Sequence, residues 1–180
     1  MLDNTAFAFT PEERPEQSRD RFLGSHRAIA ACAREFSRLV DEIVAGTALL
    51  RSELHIEEEA DVRLMPDRCI IQLGPVALTV AWLRGTPDML ADGRLLMIAW
   101  DGIVAKRSLS QVLERVARTR DIQKATAVAV WERSFVAVAE SEASWGWQQE
   151  SDGTDRDASP GLAARALAQL RSAWEHRSVQ

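Results

Sequence analysis

The sequence predicts one α+β domain, with an antiparallel sheet of about five to seven strands covered by a long N-terminal helix, a short middle helix and a C-terminal helix. Three observations carry this. Apolar residues recur at helical spacing near both ends of the chain, and short strand patterns separated by turn signals fill the middle. The length of 180 residues, with 46% hydrophobic and 27% charged, suits a single globule that needs no disulfide or metal staple. Residues 1–15 are expected to be a flexible segment and 16–180 the domain.

Thr10-Pro11-Glu12-Glu13 reads as a helix start, with a capping hydroxyl, proline at the first position and glutamate at the third. Pro15 interrupts it, because proline lacks the N–H and clashes with the preceding turn. Beyond it, Phe22, Ile29, Phe36, Ile43 and Leu50 recur every seven residues. His26, Ala33, Val40, Thr47 and Leu54 follow each by four, completing one stripe. A helix over 16–54 would run about 58 Å, against a radius of gyration of about 16 Å for a domain of this size. It must project or break, and Gly46-Thr47 is the expected break, since glycine is costly inside a helix. A straight helix drifts about 20° per heptad against a seven-residue repeat, so holding the repeat favours a partner helix. Phe22, Ile29, Phe36 and Ile43 are therefore the candidate seam between two copies around a two-fold axis.

Strand patterns follow the acidic run Glu57-Glu58-Glu59. Val62–Met65 stops at Pro66, and 68–73 and 76–84 flank Gly74-Pro75, where glycine suits the first central position of a type II′ hairpin. Thr86-Pro87-Asp88 caps a single turn. Asp92-Gly93 leads into 95–100, and Asp101-Gly102 signals a hairpin with 103–106. Ser108-Leu109-Ser110-Gln111 starts the middle helix, whose stripe is Leu109, Val112, Leu113 and Val116.

Residues 127–139 read AVAVWERSFVAVA, nearly palindromic about Arg133. The expectation is a hairpin turning at Glu132-Arg133-Ser134, pairing Trp131 with Phe135, with Ala127, Ala129, Ala137 and Ala139 under a helix. Residues 144–149 suit another strand, and Ser159-Pro160 starts the last helix, with Leu162, Ala166, Leu170 and Trp174 on its buried side.

The motif search mostly excludes. A net charge of −5 and a pI near 5.3 argue against a nucleic-acid footprint. No apolar run is long enough to span a bilayer, and no secretory signal pattern opens the chain, so a cytoplasmic location is expected. Cys32 and Cys69 lack metal-site spacing and read as buried thiols. His55-Ile56-Glu57, set against the H-x-E…P-C-x-x-C layout of zinc deaminases, fails because Pro66 precedes no cysteine. His26, on the long helix's apolar stripe, reads as a core or interface histidine. Asp152, Asp155 and Asp157 lack the order of a calcium loop. Phosphate-binding, dinucleotide and nucleophile-elbow motifs are missing, and no metal or cofactor is expected. Arg84, Arg94, Arg107 and Arg133 near strand ends read as turn residues that could also receive an anion.

Tryptophan is the better lead: six occur beside no tyrosine. Trp131 and Phe135 flank the expected hairpin, and Trp145 and Trp147 would share a strand face beside a polar loop. These four are the candidate ligand- or partner-binding residues. The element order loosely resembles that of small acidic chaperones of bacterial secretion systems, and that resemblance implies a dimer that binds partner chains. The first helix here is longer than in that pattern. Arginine outnumbers lysine 20 to 2, an association with GC-rich bacterial genomes. The expected function is a non-enzymatic adaptor, chaperone-like or regulatory, that binds a protein or a second copy of itself. The alternative is a small-molecule binder or an enzyme of unrecognised type using a Trp-lined sheet pocket.

Overall fold

The computed structural model describes residues 21–84, 93–104, 127–151 and 155–178. The expected N-terminal segment 1–15, the Thr86-Pro87-Asp88 turn and the middle helix lie outside these residues.

Helix α1 spans His26–Glu53. It starts where Ser25 caps it, the hydroxyl accepting from the Ala28 N–H at 3.2 Å. Arg21–Leu23 are helical too, so the chain breaks at Gly24-Ser25 and not at Gly46-Thr47. Gly46 stays inside α1 because it serves an approach: a Cβ there would run into the Leu167 side chain on the C-terminal helix. The stop is a Schellman turn in which His55, at φ +55°, takes the left-handed position usually given to glycine. The N–H groups of His55 and Ile56 return to Ser52 and Arg51 carbonyls.

The sheet is a seven-stranded meander with strands in chain order, each antiparallel to the next. Its strands are β1 (Asp61–Met65), β2 (Arg68–Leu73), β3 (Val76–Leu83), β4 (Arg94–Asp101), β5 (Val128–Val138), β6 (Gly146–Gln149) and β7 (Arg156–Asp157). Pro66-Asp67 and Gly74-Pro75 close two-residue turns. Gly74 has φ +52°, as the type II′ position requires. Helix α2 (Ser159–Ser178) completes the fold. No described helix is long and apolar enough to cross a membrane.

The two long described helices, α1 and α2, lie on one face of the sheet. There Cys69, Ile71, Leu73, Val76, Leu78, Val80, Trp82, Leu95, Met97 and Phe135 meet Phe36, Leu39, Ile43 and Leu50 of α1 and Leu162, Ala166 and Leu170 of α2 in one core. On the other face Gln72 acts as a clamp. Its Nε2 donates to Gly74 and Val76 carbonyls at 2.8 and 2.9 Å, and its Oε1 accepts from the Val104 N–H at 3.0 Å.

Two sequence expectations fail in the sheet. Residues 127–139 do not form a hairpin. β5 runs straight through Glu132-Arg133-Ser134, and Trp131 pairs with Ala99 while Phe135 pairs with Leu95. None of the three expected turn residues is one that readily takes positive φ, and β4 offers a full-length antiparallel partner. Asp101-Gly102 likewise starts no hairpin with the residues after it, because Trp100 and Asp101 pair with Ala129 and Val128. The alanine face divides accordingly: Ala137 and Ala139 are buried in the core, and Ala129 is exposed.

Candidate functional site

The tryptophans expected to bind a ligand are mostly core. Trp147 is fully buried, with Trp82 and Trp145 edge-on to it at centroid distances of 5.7 Å. Its Nε1 donates to Ser159 Oγ at 3.1 Å, and that hydroxyl lies 2.7 Å from Glu35 Oε2. Phe135 is fully buried as well. Trp145, Trp147 and Phe135 are thus packed into the core among the described residues. The alternation that marks these residues as paired on a face cannot say whether a helix covers that face.

The stripe expected at a seam between copies is also mostly internal. Phe36 and Ile43 sit in the chain's own core and Phe22 packs against it, leaving Ile29 39% exposed. The stripe packs against the sheet and α2, which satisfies the same apolar pattern as a partner helix would. His26 is exposed at the start of α1, not buried on the stripe.

Trp131 is the member of the set left at the surface, and its surroundings are distinctive. β5 is eleven residues long and pairs with β4 from Val128 to Phe135. On its other side β6 pairs only with Phe135–Val138. The Ser134 carbonyl accepts from the Glu150 N–H, where the chain turns away after β6. From Val128 to Arg133 the backbone thus has a free hydrogen-bonding edge among the described residues. That edge is apolar. Val128 is 63% and Val130 53% exposed, Ala129 is exposed, and Trp131 is half-buried. A β-bulge between Ala99 and Trp100 twists the ladder at this point.

Charged groups mark the inner end of the edge. Arg133 Cζ stands 5.9 Å over the Trp131 ring, and its Nη1 donates to the Glu132 carbonyl at 2.7 Å. Arg94 meets Glu150 at 2.7 Å, and Ser134 donates to the same carboxylate at 2.6 Å. These bonds hold the Glu150 carboxyl below its usual range, the Ser134 bond being the larger cause. A hollow of about 340 Å³ lies here, lined by Glu132, Arg133, Ser134, Gln149 and Ser151. Of the other arginines singled out in the sequence, Arg84 is exposed and Arg107 lies outside the described residues.

Reactive chemistry does not gather at this edge. Burial pushes the Cys32 thiol up to about 12 and the Cys69 thiol to about 11, and both are free and buried. Among the described residues no group of three His, Cys, Asp or Glu side chains stands together to hold a metal.

The fold and the site define an α+β domain with an antiparallel meander and one half-open strand. No protein-family model, no curated protein and no solved structure matches the chain.

Proposed function

We propose that the domain is a non-enzymatic protein-binding module, an adaptor of chaperone-like or regulatory kind, that takes an extended segment of a partner protein as an added strand along Val128–Arg133. One observation supports the reading above the rest: among the described residues Val128–Arg133 of β5 have a free backbone edge, and Val128, Ala129 and Val130 on it are exposed. Open edges of this kind template strand pairing, and proteins ordinarily blunt them with charge, proline or cover. In strand addition the backbone bonds supply affinity and the alternating side chains supply selectivity.

The test is selection of random nine-residue peptides displayed on phage against the purified protein and against Val130→Lys. Val130 is exposed, so lysine there places a charge on the edge without entering the core. The expected result is enriched, β-prone peptides that bind the unmodified protein and lose at least tenfold on the variant. Failure to enrich any peptide, or equal binding to the variant, would sink the proposal. Sedimentation of the free protein separates the case in which a second copy supplies the strand.

A further inference from the structure

We infer that the captured strand carries a side-chain carboxylate two positions from an apolar residue, the carboxylate against Arg133 and the apolar group against Trp131. The inference rests on the strand-addition reading and adds the chemistry of the partner. Trp131 pairs with Ala99 and Arg133 with Met97, so both side chains belong to the face of the sheet that carries the helices. An added strand would place its own residues i and i+2 beside them, because alternate residues share a face. The position between would lie beside Glu132, on the other face.

Arg133 is set up to receive an anion. Its guanidinium is held by the indole beneath it and by the Glu132 carbonyl, which takes one of its five N–H donors. Arg27, Arg34, Arg94, Arg171 and Arg177 each meet a carboxylate of this chain. Among the described residues Arg133 meets none, as is also true of Arg51, Arg68, Arg84 and Arg156, although the chain carries a net charge of −5. The neighbouring acids do not cancel it: Glu132 projects to the opposite face of β5, and the Glu150 carboxylate is engaged by Arg94 and Ser134. The hollow beside Arg133 is open at this end of the strand, with Glu132, Ser134, Gln149 and Ser151 on its other walls. Trp131, half-buried, offers an apolar shelf next to it.

The same phage library decides this. The peptides are displayed as N-terminal fusions, so every available carboxylate is a side chain and none is a chain end. On the unmodified protein, enriched sequences should carry Asp or Glu two positions from Val, Ile, Leu or Phe. On Arg133→Glu the acid should give way to Lys or Arg at the same spacing. A synthetic peptide of the winning sequence should lose up to about fivefold in affinity when its acid becomes the amide, as an opposite-charge cross-strand pair implies. That loss should vanish against Arg133→Gln. Arg133 is exposed, and an unchanged thermal midpoint confirms that the variants fold. Peptides that fail on Val130→Lys yet show no acid preference, or an acid preference that survives Arg133→Glu, would overturn the inference and leave strand addition standing. No enrichment at all removes strand addition and this inference with it.

Discussion

Replacing Ser159 with alanine tests how the buried tryptophan cluster is satisfied. Trp147 is fully buried, and its indole N–H donates to Ser159 Oγ. The hydroxyl in turn donates to Glu35 Oε2, so it accepts and donates in one chain. Ser159→Ala leaves the indole N–H without an acceptor in a dry site, a cost of about 1–3 kcal/mol. Glu35 is partly exposed and recovers its solvation at little cost. Trp147→Phe removes the donor and part of the ring, for about 2 kcal/mol of lost packing. The double variant loses the same ring volume but leaves no orphan donor, so it should cost about 1–2 kcal/mol less than the sum of the singles. Urea titrations followed by far-UV circular dichroism measure all four proteins, with stability compared at constant m-value. Additivity to within about 0.3 kcal/mol would refute the argument, because the indole would then not depend on Ser159.

Three further outcomes follow from the same geometry. Both cysteine thiols are raised by burial, to about 12 and 11 from 9.0, so between pH 9 and 11 the unfolded chain releases protons that the folded chain keeps. Their contribution is complete below pH 9 and is lost as pH rises, which Cys32→Ala and Cys69→Ala should flatten in a stability–pH series; a colorimetric thiol reagent should react at pH 8 only after denaturant is added. Gly74→Ala should cost about 1–3 kcal/mol in a thermal melt, since φ is +52° and the added Cβ would lie 2.8 Å from the Trp174 ring; a neutral result would contradict the turn assignment. Gln72→Leu should cost about 2–4 kcal/mol by orphaning the Val104 N–H and buried carbonyls, and hydrogen exchange at Val104 should accelerate; unchanged exchange would show that the clamp is not what holds that segment.

Much of the fold was legible along the chain. Turn chemistry placed Gly74-Pro75, because a two-residue hairpin needs positive φ at its first position and glycine supplies it. Leu162, Ala166 and Leu170 on α2 followed from spacing alone, since a helix repeats its buried side every three to four residues. The palindrome around Arg133 misled. Period-two alternation is identical for a hairpin and for one long strand, and only the partner at β4 distinguishes them. The same ambiguity hid the candidate site. Trp131 and Phe135 are four residues apart with the same alternation, yet one is half-exposed and the other is in the core.

By itself the sequence determined the class of this protein, an antiparallel sheet with helices, the tight turn at Gly74-Pro75 and the start of the last helix at Ser159. These depend on neighbours within a few residues: caps, glycine φ angles and apolar periodicity. Tertiary structure alone decided that α1 buries its seven-residue stripe against its own sheet, that Gly46 is a contact point and not a break, and that β6 stops short and, among the described residues, leaves Val128–Arg133 without a strand on that side. Each of those depends on what stands opposite a residue across the fold, and a local pattern carries the demand for a partner without naming which partner meets it.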